Sequence, residues 1–563
     1  MSALKGQNRI RLLGITFTAF FAAISLQLGQ LTLIHAHEQD SAEVAAKEPR
    51  SPRPDIVDRN GRVMATDLVV SSLFADPRKV QDVDEAVELL TAHIPELDAK
   101  TLRRNMKMPG KAFVWLKRQV TPDERDAIYN LGIPGVGFVE ERKRIYPLGR
   151  LGAHTLGNVD IDTHGIAGIE KFLDDQGAIY TASLNEPTTH STQPAQLSID
   201  IRVQQALTDE VAKAVEKFKA KAGGGIIQDV DTGEILALVS LPDFNPNSED
   251  KRLTSDTQNK MTAGVYELGS VIKAVTFAMA LDRGTTTLKS VYDTSAPLAI
   301  GKFRIHDLHT RKSQTTEEVF TNSSNIGTAK MALAVGLDGH MEFLKRVGLL
   351  DRLTTEVPES AKPLLPRTWS KLSSATAAFG HGFAVQPLQG LSVISDLLNG
   401  GNAVPPTFLK RSKEEADALS HRVVKSETSE KMRYLFRANV THGTGGQADV
   451  IGYRVGGKTG TAEKVIHGHY SKDKSLASFI GAFPMDKPKY SILVMLDEPQ
   501  AIPETHGFAT AGWNAVPTAK NIIARVAPML NVEPFFTPED LAKLAKQKLA
   551  EEKKTKQAPE RQG

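Results

Sequence analysis

The sequence predicts an α+β fold for the larger part of this 563-residue chain, preceded by a membrane-spanning helix and an additional domain. Two apolar runs within residues 224–239 flank a polar turn, a pattern typical of a β-hairpin. An apolar segment at residues 271–280 has the length and composition of a buried helix. Strand-like runs return later, at residues 478–483 and 490–496, after further helical segments, so strands and helices do not alternate strictly.

Length and composition limit the classes of protein that the chain can be. A single hydrophobic core rarely grows beyond about 250–300 residues, so the length predicts two or three domains. The net charge of +3 is too small to predict a nucleic-acid partner. The absence of cysteine excludes disulfides and thiolate chemistry. No zinc-binding or phosphate-loop motif is present, and we expect neither a metal nor a cofactor.

Residues 12–34 predict a membrane anchor because they form a run without charged side chains. As a helix this run is roughly 35 Å long, which is enough to cross a bilayer. Three basic residues precede it and acidic residues follow it, so the positive-inside rule places residues 1–11 in the cytoplasm and the rest of the chain outside. A cleaved signal peptide is the alternative, but the run is long for one and lacks a clear small-x-small cleavage site.

Residues 35–185 are predicted to form a non-catalytic domain, because no pattern in their sequence indicates catalytic chemistry. The expected elements are a strand–turn–strand around Asn60-Gly61, helices over residues 84–107 and 121–131, a charged strand over residues 141–149, and a helix that opens at Gly165.

A polar, proline-bearing segment near residue 185 is the predicted domain boundary. Residues 190–535 form the predicted second domain, which holds the hairpin and the buried helix. Residues 541–556 are rich in Lys, Glu and Ala. We expect a frayed helix there that ends in disordered chain, within a charged tail over residues 540–563.

The first pattern that indicates catalytic chemistry is the pair Ser270 and Lys273 at the amino-terminal end of the predicted buried helix. Residues three apart lie on one face of a helix. A neutral serine hydroxyl needs a base to become a nucleophile, and a desolvated lysine is suited to that role. The spacing alone is weak evidence, because it recurs at Ser2, Ser248 and Ser471.

Two later motifs strengthen this signal. Ser323 and Asn325 form a Ser-x-Asn motif, which also occurs by chance at Ser183. Lys458 begins a Lys-Thr-Gly motif that occurs once in the chain. Ser-x-x-Lys, Ser-x-Asn and Lys-Thr-Gly in this order, with an apolar helix behind the first, are the signature of penicillin-binding proteins and serine β-lactamases.

Within that group, the chain resembles the class B penicillin-binding proteins of the division type, which are FtsI-like peptidoglycan D,D-transpeptidases. Segments of the first domain that resemble the family's pedestal motifs are residues 53–61, 144–147, 157–160 and 165–170. Segments of the second domain that resemble family motifs are residues 380–382, 386–389 and 443–446. The chain departs from the family at Leu268, where proline is usual.

The resemblance implies an elongated α/β pedestal of the dimerisation type and a transpeptidase domain with an antiparallel sheet flanked by helices, as in serine β-lactamases. It implies septal cross-linking of stem pentapeptides ending in D-Ala-D-Ala, with a diaminopimelate-type amine as acceptor and covalent inhibition by β-lactams. The catalytic domain would lie on the periplasmic side of the bacterial inner membrane. The membrane helix and the pedestal would contact a polytopic glycosyltransferase and other division proteins.

The resemblance also implies roles for the residues of the first two motifs. Ser270 would be the nucleophile that attacks the penultimate D-Ala carbonyl, and Lys273 would be its general base. Ser323 would pass a proton to the leaving D-Ala. Asn325 would orient the lysine and the substrate amide.

The third motif would bind the substrate. Lys458 would set the electrostatic field and hold the substrate carboxylate, which Thr459 and Thr461 would also contact. Gly460 lies between these threonines in the same subsite. The backbone N–H groups of Ser270 and Thr461 would form the oxyanion hole.

Three alternative functions are consistent with parts of this sequence pattern. An elongation-type class B enzyme has the same chemistry, but the short pedestal and residues 157–160 favour the division type. A non-catalytic β-lactam sensor would need a cytoplasmic signalling portion, and only residues 1–11 precede the predicted anchor. A β-lactamase would need deacylation machinery, which is not evident, and would not need the additional domain.

Overall fold

The computed structural model describes residues 16–27, 53–176, 193–248, 254–466 and 468–546. The chain divides into two compact units. The first unit consists of Met1–Arg53, Asp67–Ile145 and Ile179–His190, and the second of Pro54–Thr66, Tyr146–Ala178 and Ser191–Gly563. The predicted boundary near residue 185 lies outside the described residues. Of the predicted tail, residues 540–546 are helical, and residues 547–563 lie outside the described part of the chain.

Residues 16–27, within the predicted anchor, form helix α1 with exposed side chains. Among the residues that the structure describes, no helix is both long and apolar enough to span a membrane. Residues 12–15 and 28–34 of the predicted span, and the predicted cytoplasmic tail 1–11, are outside the described part of the chain.

The first described strands confirm the predicted strand–turn–strand. Strand β1 (Ile56–Val57) pairs antiparallel with the start of β2 (Val63–Ala75), with Ile56 opposite Ala65. Gly61 lies in the turn with φ +82°, a conformation that glycine adopts without steric cost.

The first unit combines the rest of β2 with two further strands and three helices. In chain order these are α2 (Val83–His93), α3 (Ala99–Met106), β3 (Val114–Val120), α4 (Pro122–Leu131) and β4 (Val136–Ile145). Both β3 and β4 pair with β2. The prediction of α4 is confirmed, and its first turn is closed by a capping box between Thr121 and Glu124.

The prediction of one helix over residues 84–107 is wrong, because the segment forms two helices. Pro95 has no N–H to donate and cannot continue α2. The Asp98 side chain then accepts a hydrogen bond from Thr101 N at 2.8 Å and starts α3. Buried Leu90, Ile94 and Leu102 join both helices to one hydrophobic core.

The second unit is a mixed helix and sheet structure built on a five-stranded antiparallel sheet. Besides β1 and the start of β2, the strands of this unit are β5 (Asn158–Val159), β6 (Gly165–Ala167), β7 (Ala195–Gln196), β8 (Ala222–Asp229), β9 (Ile235–Leu241), β10 (Val291–Asp293), β11 (Leu298–Ile300), β12 (Phe303–Ile305), β13 (Ser313–Thr315), β14 (Asn402–Ala403), β15 (His421–Arg422), β16 (Gly456–Ile466), β17 (His469–Phe483) and β18 (Tyr490–Asp497). The central sheet has the order β16-β17-β18-β8-β9. The predicted hairpin over residues 224–239 and both late strands are confirmed.

Helices cover both faces of this sheet. The helices of the unit are α5 (Ala153–Leu156), α6 (Gly168–Asp175), α7 (Ile201–Lys217), α8 (Lys273–Asp282), α9 (Thr316–Thr321), α10 (Asn325–Val335), α11 (Leu337–Arg346), α12 (Lys371–Ala377), α13 (Pro387–Leu398), α14 (Lys413–Leu419), α15 (Ser426–His442), α16 (Ala515–Met529) and α17 (residues 538–546). Four 3-10 turns are also described: Gly269–Val271, Gly446–Ala448, Pro503–Thr505 and Ala511–Trp513.

Alternating residues of the central strands point to two separate cores. Ile226 and Leu493 belong to the core that contains α8 and α13. Their neighbours Ile227 and Val494 belong to the core that contains α7 and α16. Because successive side chains of a strand point to opposite faces, the sheet is buried on both sides and forms the middle of three layers.

Truncation of α16 tests this layering. Ile523 is fully buried in the α7–α16 core, so Ile523→Ala should cost about 2–5 kcal/mol of folding free energy. Lys520→Ala, on the exposed side of the same helix, should change it by less than about 0.5 kcal/mol. Urea unfolding followed by circular dichroism measures both, and equal midpoints for the two variants would contradict the layering.

Candidate active site

The structure brings the three sequence motifs together in the second unit. Ser270 lies in the 3-10 turn Gly269–Val271, and Lys273 is the first residue of α8. The sequence predicted a continuous helix from residue 271, but a tight turn precedes α8. Every residue of α8 is buried, and Ser270 is half-buried. Within the described part of the chain, the Ser270 hydroxyl makes no hydrogen bond.

Two glycines bring the turn that carries Ser270 close to a neighbouring loop. Gly380 has φ +83°, and a Cβ at this position would lie 2.2 Å from the Gly269 carbonyl oxygen. Gly269 itself has φ +58°. A side chain at Gly380 would therefore displace the backbone that positions Ser270.

Ser323 connects the two buried lysines of the site. Its hydroxyl accepts hydrogen bonds from Lys273 Nζ at 3.1 Å and from Lys458 Nζ at 3.0 Å. Lys273 Nζ also donates to the Ser323 carbonyl oxygen. Ser323 has φ +58°, a left-handed conformation that costs a non-glycine residue about 1–2 kcal/mol. Strained backbone of this kind is common at functional sites, where surrounding contacts hold it in place.

Asn325 begins α10 and lies at the rim of the same cluster. Its side-chain Nδ2 donates to the His306 carbonyl oxygen at 3.1 Å. Its backbone N–H donates to Asp307 Oδ1 at 2.6 Å. The side-chain oxygen of Asn325 therefore stays available for a donor from a bound molecule.

The sequence analysis missed Asp307, which fixes the Ser-x-Asn segment. Asp307 Oδ2 accepts a hydrogen bond from Ser324 Oγ at 2.6 Å, and Oδ1 accepts from the N–H groups of Asn325 and Ile326. A carboxylate at the start of α10 also matches the positive end of the helix dipole. No motif marks this aspartate in the sequence, since it comes from a loop about 17 residues earlier.

The Lys-Thr-Gly segment lies on β16, the edge strand of the central sheet. Gly460 allows close approach, because a Cβ there would lie 2.4 Å from the Leu268 carbonyl oxygen. Thr459 Oγ1 lies 2.7 Å from Thr444 Oγ1. Thr461 is exposed, and its hydroxyl accepts a hydrogen bond from Ala511 N at 3.1 Å. The free edge of β16 therefore passes beside the turn that carries Ser270.

Burial sets the protonation of both lysines. Lys273 and Lys458 are fully buried. Burial, with a further contribution from the nearby Lys458 ammonium, lowers the pKa of Lys273 well below its usual range, and Asp307 opposes this only in part. Burial lowers the pKa of Lys458 to about 7. The lowered pKa favours the uncharged amine of Lys273, which is the form that can accept a proton.

This arrangement has the parts required for acyl transfer through a serine. A hydroxyl nucleophile, a buried amine with a lowered pKa and a bridging hydroxyl lie within one small region. The bridging hydroxyl of Ser323 contacts both amines, so it can relay a proton between them. The exposed Thr461 and half-buried Ser270 leave the region open to a substrate.

One group of side chains elsewhere in the described residues has the spacing of a metal site. Ligand atoms of Asp160, Asp162 and His164 lie within 4.8 Å of one another in the loop between β5 and β6. Asp160 already accepts hydrogen bonds from the His164 N–H and ring. These side chains belong to a different segment from the serine and lysine cluster.

Comparison with known proteins identifies both parts of the chain. Residues 223–524 match the family model of the penicillin binding protein transpeptidase domain. Residues 49–176 match the model of the penicillin-binding protein dimerisation domain.

Two curated relatives extend over most of the chain. It is 40% identical over 538 residues to a probable peptidoglycan D,D-transpeptidase FtsI of Caulobacter vibrioides, covering 93% of this chain and 89% of the relative. It is 30% identical over 520 residues to peptidoglycan D,D-transpeptidase FtsI of Escherichia coli, covering 88% and 87%.

A solved structure has the same fold. The crystal structure of penicillin binding protein 3 from Mycobacterium, complexed with aztreonam, superposes with a TM-score of 0.68 at 24% identity. The superposition covers 86% of this chain and 98% of the neighbour. The two proteins therefore share a two-domain fold.

The contact between Gly380 and the Ser270 turn can be tested by substitution. Gly380→Ala should loosen this turn, because its Cβ would overlap the Gly269 carbonyl oxygen. We expect faster hydrogen exchange in the peptide that contains Ser270, measured by mass spectrometry, and a lower thermal unfolding midpoint.

Gly348→Ala is the matched control. Gly348 also has a left-handed φ of +79°, but a Cβ there would meet nothing within 4 Å. Both variants carry the same backbone strain, and only Gly380→Ala adds the overlap. If both variants exchange alike around Ser270, the proposed role of Gly380 in positioning this turn is wrong.

Proposed function

The chain belongs to the penicillin-binding proteins that combine a dimerisation domain with a transpeptidase domain, and from this premise we propose that it cross-links septal peptidoglycan as a D,D-transpeptidase. The observation that carries the proposal is the Ser323 hydroxyl held between Lys273 and Lys458, next to the accessible Ser270. The relatives named FtsI support the septal role over an elongation role.

In the first half of the reaction, Lys273 takes the proton of Ser270 as Oγ attacks the carbonyl carbon of the penultimate D-Ala. The lowered pKa of Lys273 suits this role, since only the uncharged form of an amine can accept a proton. The C–N bond to the terminal D-Ala breaks, and its nitrogen receives a proton through Ser323. An acyl-enzyme on Ser270 remains.

In the second half, an amine of a neighbouring stem peptide attacks the acyl carbon. The new amide bond forms, the bond to Ser270 Oγ breaks, and Oγ recovers a proton that the amine has lost. The same serine would open the ring of a β-lactam and stay acylated. No step requires a metal or a cofactor.

Other residues would bind and orient the substrate. Asn325 would accept a hydrogen bond from the substrate amide through its free side-chain oxygen. Lys458, Thr459 and Thr461 would hold the substrate carboxylate, with Gly460 keeping β16 close to the turn. The backbone N–H groups of Ser270 and Thr461 would stabilise the oxyanion, at roughly 3 kcal/mol per donor in comparable enzymes.

We further propose a membrane-anchored arrangement. Residues 12–34 would be a single-pass anchor with the amino terminus in the cytoplasm, which the charge-free run and the exposed apolar side chains of α1 support. Residues 35–185 would form the pedestal and residues 190–535 the transpeptidase domain on the periplasmic side. The anchor and pedestal would contact a polytopic glycosyltransferase and other division proteins.

Intact mass after penicillin treatment tests the nucleophile. The wild-type protein should gain one stable adduct, mapped to the peptide that contains Ser270, and Ser270→Ala should gain none. Ser471→Ala is the matched control, because Ser471 has the same Ser-x-x-Lys spacing on β17. An adduct on another serine, or none on folded wild-type protein, would refute the assignment, and an adduct that clears within seconds would favour a β-lactamase.

A further inference from the structure

The last turn of α15 contacts the Lys-Thr-Gly strand through a residue outside the three motifs. Asn439 is fully buried, and its Nδ2 donates a hydrogen bond to the Gly457 carbonyl oxygen at 2.8 Å. Gly457 directly precedes Lys458 on β16. The same helix makes a second contact of this kind, since Arg437 Nη1 donates to the Val455 carbonyl oxygen at 2.7 Å. Side chains of α15 therefore hold the backbone just before the motif.

The oxygen of the Asn439 amide faces the loop after α15. Asn439 Oδ1 accepts hydrogen bonds from the Thr444 N–H and from the Thr444 hydroxyl, each at 3.2 Å. Because the Gly457 carbonyl can only accept and the Thr444 N–H can only donate, both partners require the same orientation of the amide. Gly443 leaves room for this arrangement, since a Cβ there would lie 2.5 Å from Asn439 Oδ1. The amide oxygen is therefore a fixed acceptor beside Thr444.

Thr444 in turn contacts the motif itself. Its hydroxyl lies 2.7 Å from the hydroxyl of Thr459, whose side chain is buried. Each hydroxyl carries a single proton, and the Asn439 oxygen carries none. When Thr444 donates to Asn439, the proton between the two threonines must therefore come from Thr459. In that order the Thr459 oxygen presents only lone pairs to a bound molecule.

A bound carboxylate requires the opposite order, an argument that rests on the proposed function. The carboxylate of the terminal D-Ala accepts hydrogen bonds and cannot donate them, so Thr459 must turn its proton toward it. Thr444 can then donate to the Thr459 oxygen, because the Thr444 N–H still satisfies the Asn439 oxygen. A hydroxyl that accepts a hydrogen bond is the stronger donor, since hydrogen bonds in a chain polarise one another. The reversal therefore leaves no acceptor of the chain unpaired.

We propose that Thr444 is a positioning residue for the substrate carboxylate, with Asn439 as its fixed anchor. Thr444 acts through Thr459: it holds the Thr459 hydroxyl in place and donates to it when that hydroxyl binds the carboxylate. Asn439 orients Thr444 and also holds the Gly457 carbonyl, so the strand and the pair of hydroxyls have a common support. Neither Asn439 nor Thr444 takes part in the transfer of the Ser270 proton.

Two thioester donors test this role. The full-length protein is given N-benzoyl-D-alanine as a thioester of either thioglycolate, whose carboxylate lies where that of the terminal D-Ala would lie, or 2-methylpropanethiol, which has a similar shape without charge. Thiol release on acylation of Ser270 gives kcat/KM for each donor. Each donor is compared with itself between variants, so the different leaving thiols cancel.

Thr444→Val keeps the shape of the side chain and removes its hydroxyl. It should lower kcat/KM for the thioglycolate donor about threefold to tenfold, because one hydrogen bond that supports carboxylate binding is lost. It should leave kcat/KM for the uncharged donor unchanged, and Thr444→Ser should restore the wild-type value. Thr441→Val is the matched control, since Thr441 is an exposed threonine of α15 whose hydroxyl donates to carbonyl oxygens of its own helix. It should change neither donor.

A double-mutant cycle shows whether Thr444 acts through Thr459. Thr459→Val lacks the hydroxyl that Thr444 supports. Addition of Thr444→Val to this variant should therefore lower kcat/KM for the thioglycolate donor no further. Additive losses would mean that Thr444 acts by another route and would overturn the proposal.

Equal losses for both donors, no loss for the thioglycolate donor, or no recovery in Thr444→Ser would overturn it as well. Penicillin is a second probe with a free carboxylate, so Thr444→Val should slow its acylation of Ser270 by a similar factor, and an unchanged rate would contradict the proposal even if neither thioester reacts. Failure of penicillin to acylate the wild-type protein would instead refute the proposed function. The penicillin arm therefore separates failure of the positioning role from failure of the enzyme assignment.

Discussion

The site depends on a single hydroxyl, Ser323 Oγ, which accepts hydrogen bonds from two fully buried lysines at 3.1 Å and 3.0 Å. Two adjacent buried ammonium groups would repel each other and lack solvation. Burial and this repulsion lower the pKa of Lys273 well below its usual range, and burial lowers the pKa of Lys458 to about 7. An uncharged amine beside a serine is the state that acyl transfer requires.

Much of the second unit serves to hold these groups in place. The helix that begins at Lys273 is buried along its whole length between the sheet and the surrounding helices. Asp307 secures the start of α10 and so fixes the left-handed Ser323. Gly460 allows the edge strand to approach the Ser270 turn.

The sequence predicted the regular parts of this structure well, because periodicity and turn residues are local signals. The hairpin of β8 and β9, the buried α8 and the capped α4 are examples. The sequence also identified the motif residues that the structure brings together around Ser323. The sequence analysis did not predict the helix break at Pro95. The apolar periodicity indicated one helix, although proline is a local signal that ends helices.

Other features depend on contacts between distant segments, which no local pattern reports. Asp307 lies in a loop without a motif, and its role appears only when that loop reaches the start of α10. The close approach of Gly380 to Gly269 links segments more than 100 residues apart. The low pKa of Lys273 likewise follows from tertiary burial rather than from the Ser-x-x-Lys spacing.

The most direct test is a titration of the lysine side chains by NMR, with Lys273 assigned through Lys273→Arg. The account predicts that Lys273 titrates well below 10.5, and that Lys458→Met raises its pKa because the neighbouring ammonium is removed. Lys458 itself should titrate near 7. A Lys273 that titrates at the usual lysine value of about 10.4 would contradict the account, since the group would then be charged at neutral pH and could not act as the base.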